Sequence, residues 1–392
     1  MDAPEPTGLI RLRRGKVVEV RAERRGFVEL TVLVEPEGTM SQALAYPDLT
    51  GPVAPGDAVT LNTTAAHLGL GTGGFHLVVA VEGGGAVDVA HEGRVMKLRY
   101  TPLQAAVFAV EETHRDALEA SDGLEGTPVV AAPLHSMIAS IAAGAKASGN
   151  VRVVYVMTDG AALPGALSRL VPGLRDAGLL DGFITCGQAF GGELEAVTLW
   201  TGLLAAKEVR EADVIVVADG PGNLGTDTTW GVSALANGHA LNAAEALKGQ
   251  PVAALRVSFV DARERHRVVS HHSLTILEHV CTARVNVAVP VLEDDGQRDA
   301  VWDALRGRNL EDKHQLVEVD GRPALTKLQE LGFEVESMGR TPRDDPAFFL
   351  AAGGAGVLAG RMAAGSSRAR MNRVRGPGST PAAWIRPLPA AW

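Results

Sequence analysis

Apolar and polar positions recur along the chain with two different periods, and the change falls near residue 100. Residues 16–20 (KVVEV) and 27–34 (FVELTVLV) are β-rich and flank a polar turn, the pattern of paired strands. Pro36, Glu37 and Gly38 close the second run. Pro55, Gly56 and Asp57 mark another turn, because proline presets one backbone angle and glycine tolerates the angles needed at the next position. Residues 58–62 and 75–81 supply two further strands. Short strands at this spacing predict a small N-terminal antiparallel β-barrel domain over residues 8–100. Within it, residues 67–74 (HLGLGTGG) lack the Lys-Ser/Thr ending of a P-loop and read as a hairpin or domain-contacting loop. Glycines 83–85 read as a linker and residues 94–100 as a connecting strand.

From Thr101 the period lengthens to about 3.6. Residues 103–120, with Val107, Val110 and Leu118 on one side, predict an amphipathic helix. Apolar runs at 128–132, 151–157, 182–185, 213–218, 252–259 and 284–289 then end in polar turns that lead into helical segments. Helices are expected from Ser136 as an N-cap, from Glu193, after Gly231 and from Ser270. Residues 299–306 and 323–331 read as helices, 315–319 and 333–337 as strands. Repetition of strand, loop and helix predicts an α/β domain over 101–364, with a mainly parallel Rossmann-like sheet flanked by helices. The apolar run 348–360 is shorter than the roughly 20 residues a membrane span requires, and is expected in the core or at a subunit contact of a homo-oligomer. Residues 365–392 have no periodicity and predict a disordered tail.

Composition narrows the function. A net charge of −9 argues against a nucleic-acid partner, which needs clustered Lys and Arg. The two cysteines, Cys186 and Cys281, are too few for a disulfide framework or a zinc cluster. The first residues have no apolar core before their basic positions, so no signal peptide is expected and the protein is placed in the cytoplasm.

In an open parallel sheet the loops at the carboxyl edge of the strands hold ligands. His135 and Ser136 follow one strand, Asp159 ends the next, and Cys186 with Gly187 follows a third. A helix N-terminus after Cys186 would favour its thiolate. Asp219, Gly220, Asn223, Gly225, Thr226 and Asp227 form the segment most suited to a ligand, since its glycines permit unusual backbone angles and its hydroxyls can hold a small anion. His271 or His272 can serve as acid or base near neutral pH. Adjacent histidines do not share a helix face, so no metal site is expected from this pair. Arg340 could neutralise an anionic substrate. His135, Asp159, Cys186, His271 and His272 are thus the catalytic candidates, and the residues leave any cofactor open.

The segments GKVVEV, LHSMIAS, VYVMTDGAALP, ITCGQAFGGELEAV and RVVSHHSLT resemble the bacterial domain-of-unknown-function 3866 family (DUF3866) across residues 8–364. The resemblance implies a bacterial cytoplasmic protein and carries no activity. Locally, Cys186, Gly187, Gly220, Pro221, Asn223 and Gly225 are similar to the substrate-binding components of glycine, sarcosine and betaine reductases. No selenocysteine-type redox centre accompanies them, and the similarity implies only a small-molecule pocket between two loops. The expectation is an enzyme acting on a small anionic metabolite by acid–base or nucleophilic chemistry, of hydrolase or transferase type. The alternative is a non-catalytic ligand-binding or regulatory protein.

Overall fold

The computed structural model describes residues 9–70, 73–84, 88–89 and 91–374, with backbone alone over 366–374. Five strands, β1 (Leu12–Arg24), β2 (Phe27–Glu35), β3 (Thr39–Ala45), β4 (Ala58–Asn62) and β5 (His76–Val81), close a barrel in the order β1-β2-β3-β5-β4. All neighbours are antiparallel except β3 and β5, which run parallel. Val17, Leu30, Val32, Val59 and Leu61 fill its interior. The sequence does not announce β3, because Thr39, Met40 and Gln42 are exposed and only Ala43, Leu44 and Ala45 are buried. In the glycine-rich loop, Gly71 and Thr72 lie outside the described residues, as does Gly85 of the expected linker.

The single helix expected over 103–120 is replaced by a hairpin and two short helices. Strands β6 (Val95–Lys97) and β7 (Ala105–Val107) pair antiparallel, and the helices are Val110–Thr113 and Arg115–Glu119. Lys97 is the physical reason. Its side chain is 1% exposed, with the ammonium 3.0 Å from the Ala196 carbonyl and 3.3 Å from Glu195. That buried ion pair anchors β6 to Glu195 and Ala196 of the main sheet, and β7 pairs with β6 there.

The main sheet contains β8 (Pro128–Ala131), β9 (Val153–Thr158), β10 (Gly182–Cys186), β11 (Leu194–Ala196), β12 (Val214–Asp219) and β13 (Gln250–Ala254). A two-stranded hairpin, β14 (Val257–Ser258) and β15 (Val268–Val269), follows β13 before the sheet resumes with β16 (Asn286–Pro290) and β17 (Gln315–Val319). The order is β11-β10-β9-β12-β8-β13-β16-β17, and every pair is parallel. Helices cover both faces, so successive residues of a central strand enter different cores. Val153, Tyr155 and Met157 of β9 pack on one side, and Val154 and Val156 on the other. This is why such strands read as unbroken apolar runs.

Several expected boundaries move. Residues after Glu193 form β11 instead of a helix, and the helix Leu199–Glu208 starts later, capped by Thr198. Ser136 lies in a short 3-10 turn and makes no capping bond to the helix Ile138–Ala147 that follows. The run 252–259 is split by Leu255 and Arg256, where the chain leaves the sheet for the hairpin. Residues 333–337 form no strand; Ser337 makes only an isolated bridge to Arg340. The C-terminal helix runs Pro346–Val374, so residues 365–374 of the expected tail are helical, and 375–392 lie outside the described residues.

That helix packs across the helix Ile138–Ala147 at close range. A Cβ on Gly144 would stand 2.3 Å from the Gly353 carbonyl oxygen, and one on Gly356 would stand 1.9 Å from the Ile141 carbonyl oxygen. By length and composition Pro346–Gly365 could cross a membrane, yet 72% of that window is buried inside the protein. It is a core helix, as the sequence suggested. The barrel touches the sheet domain through Arg24, whose guanidinium donates to the carbonyls of Ser168 and Leu167 at 3.1 and 3.2 Å.

Candidate functional site

Direction of chain travel places the site. After β8 the chain crosses one face of the sheet through the helix Ile138–Ala147 to reach β9. After β12, beside β8, it crosses the other face through the helix Ala236–Ala246 to reach β13. Where adjacent strands send their connections opposite ways, the two loops part and leave a crevice at the carboxyl edge. A cleft of about 430 Å³ opens there.

Its walls come from five places. Leu134, His135 and Ser136 follow β8; Pro221, Asn223, Gly225 and Asp227 follow β12. The β14–β15 hairpin and its approach add Arg256, Arg263, Arg265 and His266, and His272 comes from the next helix. Ser337 and Met338 close the far side. Asn223 Nδ2 donates to the Pro133 carbonyl at 2.6 Å, tying the first two loops together.

Charge in the cleft is organised by Asp261, which is 3% exposed. Its carboxylate accepts from Arg256 at 2.9 Å and from Arg263 Nε at 3.0 Å, while Ser258 Oγ receives its backbone N–H at 3.1 Å. Burial works against the ionised carboxylate, but the bonds and charges of Arg263 and Arg256 hold its pKa well below the usual range. Asp227 pairs with Arg265. Burial lowers the Arg256 pKa to about 10, with Asp261 opposing, so the guanidinium keeps its charge at neutral pH.

Three imidazoles gather beside these arginines. Ring centroids of His271 and His272 are 4.1 Å apart, and His266 lies 5.2 and 4.8 Å from them. Burial, followed by the charges of Arg256 and Arg263, lowers the pKa of His266 to about 3. Burial, then His271 and the arginines, takes His272 to about 4. His271 is lowered too, by burial and then by Arg265. All three rings are therefore neutral at pH 7. Asp227 and Met338 on the cleft wall take positive φ angles of 47° and 53°, and Val268, two residues after His266, one of 61°. For a β-branched residue such as Val268 that is a strained conformation, and strain of this kind gathers at functional sites.

Of the residues the sequence singles out, His135, Ser136, Asn223, Gly225, Asp227 and His272 line the cleft, and His271 packs on His272. His135 is held on both nitrogens. Nδ1 faces the Asp219 carbonyl at 3.3 Å and Tyr155 Oη at 3.2 Å, and Nε2 lies 2.8 Å from Ser168 Oγ. Because the carbonyl can only accept, the network assigns the proton to Nδ1, with Ser168 donating to Nε2. Burial lowers the His135 pKa to about 4.

Others stand elsewhere. Cys186 is 2% exposed and directs its thiol to the Met157 carbonyl at 3.4 Å; burial raises its pKa to about 12, the reverse of an activated thiolate. The helix N-terminus expected to activate it is absent, since β11 occupies that place. Gly187 and the exposed Asp159 contact each other outside the cleft lining, with Asp159 accepting from the Gln188 N–H at 2.8 Å. Asp219 is buried beneath the rim, accepting from Thr158 Oγ1 at 2.6 Å, and burial raises its pKa. A Cβ on Gly220 would meet the Ala162 carbonyl oxygen at 2.4 Å, so its lack of a side chain serves packing. Thr226 closes its own loop through Thr228 at 3.0 Å. Arg340 pairs with Asp261 at 3.5 Å and Asp345 at 3.6 Å and supports the cleft from behind.

A family model described as a protein of unknown function (DUF3866) matches residues 42–356. The chain belongs to the DUF3866 family. Every cleft residue named above falls inside the matched span, as do all eight strands of the main sheet. A search of curated proteins returned no match.

Sequence reasoning missed Arg256, Arg263, Arg265 and His266. Residues 262–267 (ARERHR) are a charged run in the sequence, but nothing in it tells that a two-residue strand pair folds it back over the cleft.

Proposed function

We propose that this DUF3866 protein binds a small anionic metabolite in the cleft between β8 and β12 and acts on it by acid–base chemistry, as a bacterial cytoplasmic enzyme of hydrolase or transferase type. The observation that carries the reading is the convergence of Arg256, Arg263 and Arg265 on one crevice in a chain of net charge −9. Guanidinium groups give planar, paired donors suited to phosphate or carboxylate. His272 supplies the chemistry: a neutral imidazole on the cleft wall can take a proton from a bound substrate or water.

A nucleophilic route has less support. Ser136 Oγ shares its hydrogen bond with Ser337 Oγ at 2.8 Å and Cys186 with a carbonyl, and neither partner is a base. That observation, with His135 engaged on both nitrogens, favours the second reading, a non-catalytic ligand-binding protein.

The deciding experiment is thermal unfolding of the untagged chain with phosphate, sulfate or a short dicarboxylate, at matched ionic strength and with a chelator present. Binding to the folded state alone raises the transition temperature. Wild-type protein is expected to respond to at least one of these anions beyond chloride. The double substitution Arg263→Ala, Arg265→Ala removes two charged donors from the cleft wall and weakens that binding at least about tenfold. A response equal to that of chloride, or full retention in the double variant, overturns the proposal.

A further inference from the structure

We propose that His266, His271 and His272 form a binding site for a divalent transition metal of the zinc class, with its remaining coordination position open to the cleft. One ring nitrogen from each residue can be chosen so that all three lie within 4.8 Å of one another. Sequence spacing argued against an ion held by His271 and His272 alone. The two rings nonetheless stand with centroids 4.1 Å apart, and the β14–β15 hairpin supplies a third from outside their helix.

Three features point to a ligand. His271 Nε2 is buried with no hydrogen-bond partner among the described residues, although a buried imidazole nitrogen is ordinarily satisfied. His266 is 1% exposed, and its Nδ1 is fixed 2.8 Å from Ser270 Oγ, which leaves Nε2 as the coordinating atom. An outer hydrogen bond that sets tautomer and ring orientation is the usual companion of a metal-bound histidine. Third, His266 and His272 both line the cleft, so an ion between them would face it directly.

The geometry needs only a small closure. A tetrahedral ion with bonds of ~2.0 Å holds its nitrogens roughly 3.3 Å apart, so the most distant pair must approach by about 1.5 Å. Partly exposed His271 and His272 have room to make that movement. The nearby arginines are only partly compensated, with Asp261 bonding Arg256 and Arg263 and Asp227 bonding Arg265, so an anion beside the ion would offset the positive charge that remains. Three neutral imidazoles leave the ion both of its charges, and an anion completing its coordination would also meet the guanidiniums. Three protein ligands with one open position is the arrangement of catalytic zinc.

The metal depends on the imidazoles and anion binding on the guanidiniums, so these two can fail separately; with an ion bound, His272 would be a ligand and no longer the free base of the proposed function. The untagged full chain is stripped with chelator, dialysed and titrated with cobalt(II) chloride. Expected is one equivalent bound, with the intense visible absorption of four- or five-coordinate cobalt, displaced by zinc. His271→Ala and His272→Ala, each confirmed as folded by circular dichroism, should weaken binding by at least about 100-fold. His279→Ala, further along the same chain segment, should leave it unchanged. The Arg263→Ala, Arg265→Ala double variant should keep the metal while losing the anion. A pale six-coordinate spectrum, or affinity that both His271→Ala and His272→Ala retain, overturns the site.

Discussion

His135 shows how one side chain can mark a site without doing its chemistry. It sits at a strand end on the cleft wall, as its sequence position suggested, but Ser168, Tyr155 and the Asp219 carbonyl occupy both nitrogens. Its pKa of about 4, against 6.5 for the free side chain, has a consequence for stability. Above pH 6.5 the ring is neutral folded and unfolded, and pH has no effect through it. Between pH 6.5 and about 4 the unfolded chain takes up a proton that the folded protein refuses, so stability falls as pH falls. The loss across that window is about 3 kcal/mol. In urea unfolding at several pH values, His135→Gln should lose about 3 kcal/mol less stability across that window than wild type, and equal losses for the two would sink the assignment. At this scale the sequence showed which residues end strands. It could not show their partners, because Ser168 and Tyr155 are 33 and 20 positions away from His135.

At the scale of elements, the continuous apolar runs were legible because a sheet covered on both faces needs no polar side, and β9, β10 and β12 fall close to their expected places. Elements decided by distant partners were not. Residues 103–120 carry a helical pattern, yet the buried Lys97–Glu195 pair holds the adjoining segment as a hairpin. Residues 194–196 read as helix because Glu193 and Glu195 are good helix formers, while Thr185 and the ammonium of Lys97 fix Glu195 in a strand. The C-terminal helix supplies a sharper test. Gly356→Ala puts a methyl into the Ile141 carbonyl and forces two helices apart, at about 1–3 kcal/mol. Gly365→Ala, in the same helix with nothing within 4 Å, should stabilise by roughly 0.5–1 kcal/mol. Chemical denaturation of the two variants should move the midpoint in opposite directions; a shared direction would refute the close packing of these helices.

For the molecule as a whole, the alternation of strand and helix was enough to foresee an α/β sheet behind a barrel, and to foresee that polar turns would share one rim. It was not enough to say which of them share a cleft, because that depends on strand order, and order is not written in local pattern. Cys186 and Asp159 follow β10 and β9, on the side of the sheet leading away from β8, and so miss the crevice that β8 and β12 create.

Strand order also bears on how the protein is made. β12 is hydrogen-bonded between β8 and β9, two strands synthesised well before it. A nascent chain stopped at residue 212 therefore has the flanks of its central sheet and a gap where the middle belongs, with apolar edges unpaired on each side. Domain-sized intermediates of this kind expose strands that recruit chaperones or aggregate. Pulse-chase proteolysis of ribosome-stalled chains should find residues 101–212 digestible until β12 has left the exit tunnel and protected afterwards. Assembly would then proceed inward from two waiting halves, with the keystone arriving late.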